Sequence, residues 1–158
     1  MDVLETPSQV LIGLDRTRSM PKHTFEIKQV VLIPNATPLD VFRALTSSKI
    51  HSEVTGSPAK VNARVGAKFT AWDEYITGRN LKIEKGKKLI QEWRTTDWPD
   101  ESTPSSLLEI SLKPTEKGTE LTMVHSKIPS KELEESYDAG WYDSYWNPMK
   151  KYFKKTKS

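Results

Sequence analysis

The chain has 158 residues, with 24 Lys or Arg against 21 Asp or Glu for a net charge of +3, and no cysteine. That length suits one domain burying roughly 70% of its unfolded surface, so a core needs no staples. Without thiols, disulfides and thiolate metal sites are excluded, which suits a reducing compartment. No run approaches the ~20 apolar residues of a membrane span. The start, Met1-Asp-Val-Leu-Glu5, lacks the basic-then-apolar order of a secretory signal, so a soluble cytoplasmic protein is the expectation.

Residues 1–22 carry turn formers and one short apolar run, Val10 to Leu14, too brief for a helix of its own. They read as an N-terminal extension, flexible or laid loosely on a single domain formed by residues 23–158. Phe25 to Ile33 alternates at first and then turns wholly apolar, which predicts a strand passing from a half-exposed to a buried position. Thr37 is placed to cap a helix, with Pro38 at the first helical position where a missing N–H costs nothing. Leu39, Phe42 and Leu45 mark that short amphipathic helix, and a second helical piece runs from Ser47 to Val54 and stops near Gly56.

Strands follow. Ala59 to Ala63 and Ala67 to Trp72 flank a Val65-Gly66 turn. Tyr75 to Ile83 and Lys88 to Thr95 flank Lys85-Gly86, and Leu107 to Lys113 and Thr119 to Ile128 flank Glu116-Lys117-Gly118. Glycine turns between such runs predict antiparallel hairpins. The last segment, Asp138 to Phe153, follows a Pro129-Ser-Lys-Glu132 turn and places Trp141, Tyr145, Met149, Tyr152 and Phe153 at helical spacing. Pro148 removes one backbone donor there and predicts a bend, at a cost of about 3 kcal/mol. Strand, two short helices, six strands and a long helix predict an α+β layer with the helix across a bent antiparallel sheet. Pairing of the first strand with the last would remove both exposed edges.

The helix can seal a core or roof a cavity. If it roofs one, Phe69, Trp93, Met123, His125, Trp141, Tyr145 and Met149 are the expected lining. Strand alternation puts Trp93 and Arg94 on opposite faces, with Trp93 inside. His125 shares a face with Leu121 and Met123 and is expected to be an interior, hydrogen-bonded histidine. His23, His51 and His125 have no metal-ligand spacing, and there is no phosphate loop or serine elbow, so no catalytic residue, metal or cofactor is assigned. Trp98, beside Asp97, Asp100 and Glu101, is either an exposed interface anchor or a ring folded over the sheet edge. Lys150 and Lys154, with Lys151, Lys155 and Lys157, either complement the helix dipole or dock an acidic partner. No arginine-rich pattern for nucleic acid accompanies them.

Four segments carry a family resemblance: Pro38 to Thr46, Gly66-Ala-Lys-Phe69, Ile90 to Arg94 with Trp98-Pro99, and Gly140-Trp141 through Tyr152-Phe153. Together they resemble the family of homologues of the activator of heat-shock-protein-90 ATPase, within the START/pollen-allergen-like superfamily. The resemblance implies a helix-grip fold, a curved antiparallel sheet of six to seven strands with two short helices and a long C-terminal helix. It implies a non-enzymatic binding protein whose partner is a heat-shock chaperone or a small hydrophobic molecule; a cyclase- or aromatase-like enzyme is the weaker alternative. Co-chaperone members carry a further N-terminal chaperone-binding domain that residues 1–22 do not replace. A monomer is the expected state.

Overall fold

A computed structural model describes residues 23–98 and 100–157, so the extension expected at residues 1–22 lies outside the described residues. Strand β1 (Phe25–Pro34) buries Ile27, Gln29, Val31 and Ile33 and turns the residues between them outward. The alternation holds to its end, contrary to the expected buried stretch: Val30 is 55% and Leu32 40% exposed. β1 is an edge strand with one covered face, so its outward row has no layer to hide it.

Helix α1 (Pro38–Thr46) starts at a reciprocal cap, in which Asp40 N–H donates to Thr37 Oγ1 at 3.1 Å and Thr37 N–H donates to Asp40 Oδ2 at 2.9 Å. Helix α2 (Ser48–Thr55) is capped by Ser47 and ends at Gly56, whose φ of 77° is the left-handed conformation glycine takes without strain. The strand expected at Ala59 to Ala63 does not form, apart from one isolated bridge between Lys60 and Thr70. Side chains hold that segment instead. Fully buried Asn80 donates to Asn62 O at 3.2 Å and Arg64 O at 3.0 Å, and Val61 N–H donates to Ser48 Oγ at 3.0 Å.

Strands β2 (Lys68–Ala71), β3 (Ile76–Glu84), β4 (Lys88–Thr95), β5 (Ser106–Pro114) and β6 (Gly118–Ile128) meander antiparallel, and the sheet order is β1-β6-β5-β4-β3-β2. First and last strands do pair, from Phe25 with Ile128 to Pro34 with Gly118. That pairing does not close the sheet, because β1 and β2 are left as its two edges. Register shifts between Phe25 and Ile27 and between Asn80 and Lys82 add curvature.

The lid begins earlier than the aromatic spacing suggests. Helix α3 (Lys131–Trp141) is capped by Ser130, so Gly140 and Trp141 lie inside it rather than at its start. A π-helical turn, Tyr142–Trp146, continues into helix α4 (Asn147–Lys157). Asn147 N–H reaches back to Tyr142 O, five residues away, one step before Pro148. The wider turn sits where the proline has no N–H to give. It also brings residues five apart over one another: Trp141 and Trp146 stack with centroids 5.2 Å apart. The lid packs chiefly on β1 and β6, and the core lies between them. Among the described residues, no helix is long and apolar enough to cross a membrane.

Candidate functional site

Because the lid rests on the β1–β6 side of the sheet, free space is left on the β2–β4 side. Three rings divide that space: Trp93 from β4, Trp141 from α3 and Tyr145 from the π turn each line a chamber on both sides. The inner chamber, which Phe69 and His51 also line, measures about 20 Å³, room for roughly one water. The outer chamber is a cleft of about 300 Å³ open at the flank of the lid, the lower end of the range for ligand sites. Trp72, Tyr75 and Tyr137 join the three shared rings around it, and Thr95, Ser136 and Ser144 add hydroxyls.

Local backbone features put these side chains in place. Trp72, Asp73 and Glu74, between β2 and β3, have φ of 51°, 55° and 71°. Left-handed residues other than glycine cost about 1–2 kcal/mol each, so the turn that presents Trp72 and Tyr75 to the cleft is strained. On the opposite wall stands Gly140, next to last in α3, where the lid continues into the π turn. A Cβ added there would meet nothing within 4 Å and φ is not positive, so neither packing nor backbone requires a glycine that costs a helix about 1 kcal/mol.

Behind the rings lie two directional hydrogen-bond chains. Trp141 Nε1–H donates to His125 Nδ1 at 3.1 Å, which places the histidine proton on Nε2. Nε2–H then donates to Ser106 Oγ at 2.8 Å, and Ser106 Oγ–H donates to the Trp93 carbonyl. In the second chain Trp98 Nε1–H donates to Tyr137 Oη at 2.7 Å, Tyr137 O–H donates to Thr95 Oγ1 at 2.6 Å, and Thr95 O–H donates to the Asp97 carboxylate. Tyr75 O–H reaches the same carboxylate at 2.8 Å. Burial lowers the His125 pKa to about 3 and raises that of Tyr137 to about 12. Burial likewise lowers the pKa of His51 to about 4 and raises that of Tyr145 above its ordinary value. His51 Nε2 lies 3.0 Å from Tyr145 Oη, and its Nδ1 points toward the Ala44 and Leu45 carbonyls without reaching hydrogen-bond geometry. All four groups are neutral at pH 7. Among the described residues, no group of three His, Asp or Glu could hold a metal ion.

Of the residues proposed from sequence, Trp93, Trp141 and Tyr145 come together at the cleft and Phe69 reaches only the inner chamber. Met123, His125 and Met149 line neither. They are at most 1% exposed, and His125 is covered by the rings of Trp93, Tyr137 and Trp141. Trp98 is 6% exposed and no interface anchor: its N–H is bonded to Tyr137 and the Arg94 guanidinium covers its ring at 4.4 Å. Lys150 is half-buried and Lys154 exposed on α4, about 20 Å or more along the lid from Tyr137, so lysines and tryptophan form no common surface.

Sequence reasoning missed Tyr75, Tyr137 and Trp146, and it placed Trp72 on a strand, whereas β2 ends at Ala71 and Trp72 stands in the turn that follows. Trp146 is fully buried, and its N–H donates to Gln29 Oε1 at 2.7 Å. The Gln29 amide in turn donates to Asp138 O at 2.9 Å, tying the lid to β1. The legible signal for the cleft was Gly140 inside a helical pattern.

Known proteins resemble the chain in both sequence and fold. It is 29% identical over 117 residues to the human "Activator of 90 kDa heat shock protein ATPase homolog 1", covering 74% of this chain and 34% of that protein. It is 25% identical over 138 residues to the Dictyostelium discoideum homologue, covering 86% and 34%. The chain thus spans about a third of the length of these relatives. The crystal structure of an HSP90 activator from Plasmodium falciparum superposes with a TM-score of 0.63 at 26% identity, covering 77% of this chain and 89% of that one. A Mesorhizobium loti protein shares the fold with a TM-score of 0.67 at 21% identity, covering 85% and 98%. The family model for "Activator of Hsp90 ATPase homolog 1-like protein" matches residues 35–154. With that match spanning both short helices, β2 to β6 and the lid, the chain belongs to this family.

Proposed function

We propose that the protein is a non-enzymatic binding module of the co-chaperone type, acting on an Hsp90-class ATPase. The observation that carries this reading is the family match over residues 35–154, which takes in nearly the whole described fold. Two features of the site support it over an enclosed carrier or a cyclase-like enzyme. The chamber beneath Trp141 and Tyr145 holds about 20 Å³, too little for a sequestered lipid. His125 and Ser106 are engaged with one another and with Trp141 and Trp93, so neither of these two is free to work on a substrate.

Such a module activates by binding one chaperone conformation better than another, and differential affinity is all that can shift that equilibrium. Lys150, Lys151 and Lys154 on α4 give it a cationic face for an acidic partner. Titrating the protein into an Hsp90-class chaperone should raise ATP hydrolysis. Lys150→Glu with Lys154→Glu should weaken the effect several-fold, most at low salt. An unchanged hydrolysis rate at saturating protein removes the proposal.

A further inference from the structure

We propose that the open edge of β1 is an intramolecular docking surface, taken by the chain's own residues 10–14, Val10-Leu-Ile-Gly-Leu14, as an added antiparallel strand. This does not depend on the chaperone reading. Among the described residues, β1 pairs with β6 on one side and has no strand on the other. Asn35 N–H donates to Lys117 O in the same register as the β1–β6 ladder, and the direction of backbone groups alternates along a strand. Odd-numbered residues of β1 therefore bond β6, and the N–H and C=O groups of Lys28, Val30 and Leu32 point out from the edge. The same three residues carry the outward row of side chains, with Val30 and Leu32 exposed. An edge that is apolar in its side chains and unpaired in its backbone is a template for strand pairing, and proteins cover or blunt such edges.

Reach, pattern and charge commit the edge to this occupant. Ten residues separate Leu14 from Phe25, enough to turn the chain back along β1 in the antiparallel sense. A parallel arrangement would need those ten residues to run back along the roughly 33 Å of β1, which leaves them almost fully stretched. With Ile12 set beside Val30, Val10 falls beside Leu32 and Leu14 beside the stem of Lys28. Apolar side chains then adjoin as cross-strand pairs, while the outward side of the row still faces water. The same register brings Arg16 beside the exposed Glu26. It also sets Pro7 and Pro34, neither of which has an N–H, together at the far end.

Amide hydrogen exchange in the full-length protein, followed by NMR, tests this directly. The N–H groups of Lys28, Val30 and Leu32 should exchange slowly. Val10→Asp with Ile12→Asp should speed all three by about tenfold or more, and should leave Gln29, Val31 and Ile33, which bond β6, unchanged. That contrast separates loss of the added strand from general loosening of the fold. Because the chain has no cysteine, Ile12→Cys with Val30→Cys offers a second readout. Paired residues lie at a separation a disulfide can bridge, so mild oxidation should close an intramolecular bond. Fast exchange of the three amides in the intact protein overturns the proposal. So does slow exchange that survives the double aspartate variant, or that rises with protein concentration, which would assign the edge to a second copy of the chain.

Discussion

His125 and His51 are both buried and neutral, and each has a consequence for stability against pH. Their folded pKa values lie near 3 and 4, below the ordinary 6.5. As pH falls through 6.5 the unfolded chain takes up protons that the folded chain refuses, so stability must fall with pH. Protonated His125 could no longer accept the Trp141 N–H. Between pH 7 and about 5, where most carboxylates remain ionised, each histidine should remove on the order of 2 kcal/mol. Urea unfolding across that window should show the decline, and a flat curve would mean the histidines open to water before the fold does. The interior position of His125 was legible because it alternates with Leu121 and Met123 on one strand. The fate of Trp98 was not: which way a loop ring turns depends on a hydroxyl 39 residues away, Tyr137.

At the scale of elements, the cap at Thr37, the stop at Gly56 and the glycine turns could be read from sequence because each is a local bargain between neighbours. The segment at Ala59 to Ala63 could not. Its alternating pattern is strand-like, but Asn80 and Ser48 claim its backbone groups from elsewhere in the fold. The π turn was equally hidden, since spacing of three to four residues assumes an unbroken α-helix and so left Trp146 out of the buried face. Phe69 illustrates packing between elements. It pairs with Gly78 across β2 and β3, and a Cβ on Gly78 would stand 2.5 Å from its ring and 2.0 Å from the Glu92 carbonyl oxygen. Gly78→Ala should therefore destabilise by about 2–3 kcal/mol through overpacking. An unshifted urea midpoint would show that the β2 edge gives way freely.

For the whole molecule, element order and the pairing of first and last strands were readable, but edge closure was not, because meandering strands pair in succession and leave β2 free. The wholly apolar end of β1 was misleading for the same reason: apolarity reports burial only where a second layer exists. That distinction is measurable. Val30→Lys should change stability by less than about 0.5 kcal/mol, whereas Val31→Lys, one residue on and 4% exposed, should cost more than about 4 kcal/mol. Equal effects would mean that the outward row of β1 is covered in solution.

The lid is pinned at both ends of its π turn, where Trp141 is bonded to His125 and Trp146 to Gln29. Lifting it would strand two indole donors and expose the core in one step, so it cannot swing as a door. The flank cleft therefore stays open to solvent without any movement of the lid.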